Sequence, residues 1–383
     1  MKKILTIGAY ERDNFGDCLF FLVLKNRLEN YQCTLVPGSC FSSDMVDYFG
    51  EHVHQYNFLL SEYEWDAIWI VGGEIGGCSI SSAFLMSVRN EYLDKYSKLR
   101  ESTKKIVLDA IVGLPQKHLA YLPDLNRYSK NKNAPMIVNS VGGFDNLKHV
   151  GDGDLHNTTI QTLKNAFSFS VRSEKSHKYL NNHNVRNILV PDTIHALPTF
   201  YEGSITISEP YIIFQMNEAL FKINSYVHVG EILHSLIKKY NCKIILFSAG
   251  NANYHDSICD YKKLKEYLDN LLDENSVDIL FEKSSLRRVD WIKNAFLCVG
   301  SSLHVRVVAS AYKVPRVSLV SEKVTEYAKF WDNLFPYNVL VNDLLDACNC
   351  ALSVDEEQHK NQSNFLTKKA IGHIDMVVET LYG

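Results

Sequence analysis

The sequence predicts an α/β protein of two domains, each a parallel sheet covered by helices, facing one cleft. Three observations predict it. Apolar runs of four to seven residues recur along the chain between longer amphipathic segments, the alternation of β-α-β units and not of hairpins. The stretch PTFYEGSITISEP (Pro198–Pro210) has turn residues at both ends, and a fresh β-α-β series follows it, as expected of an interdomain linker. A chain of 383 residues, 46% of them apolar, is long enough for two domains with their own cores.

In the first half, strands are expected at Ile4–Gly8, Cys33–Val36, Ala67–Val71, Ile106–Ile111, Met136–Val141, Phe167–Val171 and Ile188–Val190. Cys18–Asn30 reads as the first helix, because Leu19, Leu22, Val23 and Leu28 share a face. A second helix is expected over Ala83–Leu99. Asn139–Asn157, rich in Gly, Asp and Asn, reads as a loop at a strand end. In the second half, strands fit Tyr211–Gln215, Ile244–Ser248, Ser276–Phe281, Phe296–Val299 and Arg316–Val320. Helices fit Val227–Lys239, Tyr261–Leu272, Leu286–Asn294 and Leu303–Ala311, and Leu366–Tyr382 closes the chain. The domains are drawn as 1–203 and 204–383.

Forty Lys and Arg stand against 44 Asp and Glu, a formal net charge of −4, which excludes duplex nucleic acid as the main partner. A local basic site for a small anion stays open. The opening MKKILTIGAY reads as a strand and not a signal peptide, because Glu11, Arg12 and Asp13 follow at once. No run approaches the roughly 18 apolar residues of a membrane helix. A cytoplasmic protein is therefore expected, with peripheral contact at the inner membrane surface left open. The nine Cys are irregularly spaced, with one C-x-C pair at Cys348 and Cys350, and the fourteen His are unclustered. Free thiols and no zinc site are expected.

Four segments carry candidate chemistry. In YERDNFGDCL (Tyr10–Leu19), Asn14, Gly16 and Asp17 stand where the chain turns from the first strand into the first helix. Gly16 permits a close ligand approach. Asp17 can cap the helix, and the first-turn amides favour an anion or a polar sugar. The turn lacks G-x-G-x-x-G, so it is no dinucleotide fingerprint. In VGGEIGG (Val71–Gly77), Gly72 and Gly73 follow a buried strand, and Glu74 among them can serve as a base or accept from a sugar hydroxyl. In FSVRSEKS (Phe169–Ser176), Arg172 ends a strand, where its fork suits a carboxylate or phosphate; a salt bridge to Glu174 or another surface acid is the competing reading. In VGSSLHVRVVASAYKVP (Val299–Pro315), Gly300, Ser301 and Ser302 precede a helix with His304 in its first turn. Ser301 and Ser302 can cap it, and Arg306 reads as a structural surface residue.

Taken in order, these segments resemble the polysaccharide pyruvyl transferase family over roughly residues 4–332. The matches are an N-x-G-D-type turn (Asn14, Phe15, Gly16, Asp17), a glycine-rich strand end (Gly72, Gly73) and an R-[DE]-x-x-S segment shifted by one (Arg172, Ser173, Glu174, Lys175, Ser176). A P-D pair (Pro191, Asp192) and an L-H-x-x-x-x-A helix with a V-P turn (Leu303, His304, Ala309, Val314, Pro315) follow. Many members carry Arg immediately before Leu-His, where this chain has Ser302.

The resemblance implies a GT-B-like pair of Rossmann-like domains, the N-terminal one on the acceptor side and the C-terminal one on the donor side. It implies transfer of a pyruvyl group from phosphoenolpyruvate to two hydroxyls of a sugar, giving a cyclic ketal, with no cofactor and no metal. The acceptor would be a glycan or glycan precursor, and a lipid-linked one is compatible. Arg172 is then expected to hold the donor anion, Gly300, Ser301 and Ser302 to line its phosphate, His304 to donate a proton and Asp17 to activate a hydroxyl. Asn14, Gly16, Gly72, Gly73 and Glu74 are expected on the acceptor side. Two rivals stand beside this reading: a GT-B glycosyltransferase using a nucleotide sugar, and a non-catalytic glycan- or anion-binding relative. The oligomeric state is not set by the sequence.

Overall fold

The computed structural model describes residues 2–113, 119–149, 153–205, 207, 209–272 and 276–382. Both expected parallel sheets are present. The chain divides into two compact units: the first is Met1–Asp13, Asp17–Thr193 and Ala370–Gly383, and the second is Asn14–Gly16 and Ile194–Lys369.

Among the described residues, the first unit holds eight strands: β1 (Lys2–Ile7), β2 (Cys33–Ser39), β3 (Ser43–Met45), β4 (Glu51–Gln55), β5 (Ala67–Ile70), β6 (Met136–Val141), β7 (Ser168–Val171) and β8 (Ile188–Leu189). Their order is β3-β4-β2-β1-β5-β6-β7-β8, and only the β3–β4 pair is antiparallel. Ile4 to Ile7, Ala67 to Ile70 and all of β6 are buried on both faces. That is why these strands carry apolar residues at consecutive positions and not only at alternate ones. The chain leaves β1 toward β2 and returns on the other side at β5, so the strand order reverses between β1 and β5.

The second unit holds β9 (Tyr211–Gln215), β10 (Lys243–Phe247), β11 (Val277–Leu280), β12 (Leu297–Gly300) and β13 (Arg316–Ser318), all parallel, in the order β11-β10-β9-β12-β13. Its core gathers Ile212, Phe214, Leu233, Leu246, Leu264 and Val299. Here the order reverses between β9 and β12.

Several expectations change. Ile106–Ile111 is no strand; it belongs to a helix, Glu101–Val112. Leu108 and Val112, four apart, are buried, whereas Ile106 and Ile111 are exposed, and a short apolar run does not by its pattern alone separate strand from helix. Ala83–Leu99 is two helices, Ile80–Ser87 and Asn90–Ser97, broken where Val88 and Arg89 turn extended. Asn139–Asn157 is only in part a loop: β6 runs to Val141, a 3-10 turn covers Phe144–His149, and a helix starts at Gly153. The closing helix begins at Glu356, ten residues before Leu366. β3, at the sheet edge, and its neighbour β4 carried no apolar run because both are short and polar. Pro198–Pro210 groups with the second unit, its first residues ending the 3-10 helix Thr193–Thr199; residues 206 and 208 of it lie outside the described ones. The nine cysteines form no disulfide among the described residues, and five of them are buried. No helix among the described residues is long and apolar enough to cross a membrane.

Candidate functional site

Open parallel sheets bind ligands beyond the carboxyl ends of their strands, at the reversal point. In the second unit that point is the end of β9 and β12. β12 ends at Gly300, Ser301 and Ser302 make the turn, and the helix Leu303–Ala311, buried at every residue, begins there. Ser302 stands at the N-cap with extended backbone, yet its hydroxyl makes no capping bond, contrary to the sequence expectation. Gln215 at the end of β9 holds the turn just before the helix. Its Oε1 accepts from the backbone N–H of Ser301 and of Ser302, both at 2.8 Å. The buried Ser301 hydroxyl donates to the same oxygen at 3.3 Å and accepts from the Asn217 N–H at 3.2 Å. Gly300 lies against the Gln215 side chain.

Gln215 is itself anchored. Its Nε2 donates to Asp256 Oδ1 at 2.6 Å, and Asp256 Oδ2 accepts from the Ala249 N–H at 2.6 Å. Burial pushes the Asp256 carboxyl up to about 7, although those donors favour its charged form.

His304 is 7% exposed and borders Gly16. A methyl group on Gly16 would overlap the imidazole, so only glycine fits there. Phe15 meets the imidazole edge-on at 6.4 Å and packs on Phe247 at 5.5 Å. Its N–H donates to the Ala249 carbonyl at 3.0 Å. Asn14, half-buried, belongs to the same short stretch. Thus Asn14–Gly16 and the L-H helix meet inside the second unit. Arg306 is no surface residue: it is 2% exposed, paired with Asp332 at 2.7 Å, and bonded to Ser318 and to the carbonyls of Asp332, Phe335 and Pro336.

In the first unit, Asp17 lies within the first turn of the helix Phe15–Leu28 and not at its cap. It is buried, 3.8 Å from Arg12 Nη2, and close to Gly73, which takes a left-handed φ of +95°. A side chain at Gly73 would be strained by that φ and would lie 3.4 Å from Asp17 Oδ1. Gly72 packs on Phe20. Arg12 also donates to Glu11 at 2.6 Å and to the Tyr121 hydroxyl at 2.7 Å, and Ser39 and Ser87 donate to Glu11.

Beyond β6 and β7 lies a second charged group. Arg172 is 2% exposed, with Nη1 on Asp192 at 2.5 Å and Nη2 on Glu74 at 3.1 Å. Burial opposes its charge, but Asp192 and Glu74 outweigh burial and raise the guanidinium above its ordinary value. Asp192 is fully buried, whereas the Glu74 side chain is 37% exposed and rests on Gly142 and Gly143. Glu174, the competing partner, bonds Lys178 instead, and Ser173 caps the helix Glu174–Asn182.

Gln215, Asp256, Arg12 and Glu11 were missed as site residues. Gln215 closes a strand and Asp256 lies in a loop forty-one residues on, so no spacing links them. Arg12 and Glu11 carried a signal, adjacent charges straight after a buried strand, which went unused for the site.

No curated protein matches the chain by sequence. Among solved structures, UDP-GlcNAc 2-epimerase from Neisseria meningitidis bound to UDP-GlcNAc is similar at 9% identity and a TM-score of 0.58, over 98% of this chain and 100% of that one. The Methanocaldococcus jannaschii UDP-GlcNAc 2-epimerase in complex with UDP-GlcNAc and UDP gives 12% identity and 0.53, over 92% and 93%. The UDP-N-acetylglucosamine 2-epimerase from Rickettsia bellii gives 14% and 0.51, over 99% of each chain. At such identities the likeness shows the fold, a GT-B-like one, and nothing of the substrate. The polysaccharide pyruvyl transferase family profile matches residues 14–322, which takes in every segment built above from Asn14 to Pro315. The chain is a transferase-type member of the polysaccharide pyruvyl transferase family.

Proposed function

We propose that the protein transfers the pyruvyl group of phosphoenolpyruvate to two hydroxyls of a sugar in a glycan or glycan precursor. The observation that carries the reading is His304, seated against Gly16 at the carboxyl end of β12, where the reversal of strand order favours a ligand. His304 donates a proton to the methylene carbon of phosphoenolpyruvate while one sugar hydroxyl attacks the neighbouring carbon and gives its proton to a base, for which Asp17 is the candidate. The second hydroxyl then displaces phosphate, its proton leaving with it, and the ketal closes. The helix dipole disfavours the imidazolium, and a bound trianion favours it, so His304 becomes an acid only once the donor is in place.

Ser302 is the hydroxyl assigned to the phosphate, with Ser301 and Gly300 shaping the turn behind it. Arg172 is assigned to the donor anion. In that role its partly exposed partner Glu74 gives way, while the buried Asp192 keeps the guanidinium in place. A nucleotide sugar is the second reading, suggested by the UDP-GlcNAc named for two of the similar structures. The test is a donor screen with a panel of glycan acceptors. Phosphate release from phosphoenolpyruvate supports the proposal; UDP or GDP release supports the rival; tight binding without turnover supports a non-catalytic relative.

A further inference from the structure

Gln215 and Asp256 form part of a closed circuit around His304, wholly within the second unit. On one side, Gln215 Oε1 holds the N–H groups of Ser301 and Ser302, the two residues that set where the helix bearing His304 begins. On the other side, Asp256 holds the Ala249 N–H, and the Ala249 carbonyl holds the N–H of Phe15. Phe15 presents its edge to the His304 ring, and Gly16 borders the ring itself. The Gln215–Asp256 bond, at 2.6 Å, joins the two sides. Tyr261 braces the circuit, accepting from the Met216 N–H at 3.0 Å and donating to the Phe247 carbonyl at 2.9 Å.

We propose that Gln215 and Asp256 are positioning residues that fix the imidazole of His304 from both sides, one through the helix start and the other through Phe15 and Gly16. A carboxamide suits the first task because it accepts two amides at one end while donating to a carboxylate at the other. A carboxylate suits the second because it accepts from Gln215 and Ala249 at separate oxygens. The inference rests on the reading of His304 as proton donor only for its functional meaning; the positioning itself is read without substrate.

The test is the imidazole carbon–proton NMR spectrum of the full chain, in which the His304 signal among the fourteen histidines is the one lost in His304→Gln. Gln215→Met keeps length and removes the carboxamide. Asp256→Asn keeps shape and replaces one accepting oxygen by a donor, and it reads the same circuit if Gln215→Met does not fold. Each variant is expected to displace the His304 signal by more than its line width, while those of His156, His177 and His183 in the first unit stay in place. An unmoved His304 signal in a folded variant overturns the proposal. Phosphoenolpyruvate is then titrated into the unaltered protein. If that signal does not respond, the donor reading fails while the positioning result stands.

Discussion

Arg172 in the first unit and Arg306 in the second are both 2% exposed and both bonded to a fully buried aspartate. Their surroundings differ in what else is within reach. Arg306 spends its donors on Asp332, the Ser318 hydroxyl and three backbone carbonyls, and Arg316 lies on the same aspartate. Around that core, Arg316 also meets His359 at 2.8 Å and stacks on the Phe335 ring at 4.0 Å. The group ties the helix Leu303–Ala311 to the segment 332–336. Arg172 instead shares itself between Asp192 and a glutamate that is 37% exposed and lies on glycine backbone. Burial and pairing alone therefore do not mark a functional arginine. What separates the two is the partly exposed partner of Arg172.

The comparison breaks most easily at Asp332. Replacing it with Ala leaves two buried guanidinium groups on each other, and we expect a loss of about 3–5 kcal/mol in stability, read by urea unfolding. A cost below about 1 kcal/mol would remove the distinction between the two arginines. His304→Gln comes next: turnover should fall on the order of 100-fold with the fold intact. Near-normal turnover with the correct acceptor would leave His304 as a helix-start residue bonded to its neighbours.

Arg172→Ala should weaken phosphoenolpyruvate binding by about 1.5–3 kcal/mol, and Arg172→Lys should restore only part because the fork is lost. Glu74→Gln sharpens the point, since it removes a competing carboxylate: donor affinity should rise a few-fold, up to about ten-fold. Unchanged donor affinity in both variants would make the Arg172 group a brace like that of Arg306.

The smallest expected effect is one of pH on stability. Burial, and then Arg316, hold His359 down to about 4, against an ordinary value of 6.5. The folded state keeps it neutral while the unfolded chain takes up a proton below 6.5. Its contribution is thus present above 6.5 and lost as pH falls toward 4, on the order of 1 kcal/mol per pH unit across that window. His359→Gln should flatten that part of the stability–pH curve; an unchanged slope would show that His359 is not set by the Arg316 group.

The sheets were legible because their strands are buried on both faces, so Met136–Val138 and Tyr211–Phe214 stood out as unbroken apolar runs. The polar strands β3 and β4 and the helix Glu101–Val112 were not, since short polar strands near a sheet edge bury little and a four-residue helical spacing hid within an apolar run. At the site, the sequence pointed to His304, Arg172 and Gly16 through their places at strand-to-helix turns. It could not show that Arg172 already holds two carboxylates, or that Gln215 holds the Ser301–Ser302 turn, because both depend on side chains brought in from distant parts of the chain.

The central claim is that His304 receives its proton from the binding of an anionic donor. Calorimetric titration of phosphoenolpyruvate near pH 7.5, repeated in buffers of different ionisation enthalpy, measures protons taken up on binding and needs no acceptor. The account predicts net uptake in the unaltered protein that disappears in His304→Gln while binding persists. Binding with the same uptake in both proteins, or no binding of phosphoenolpyruvate at all, would contradict it.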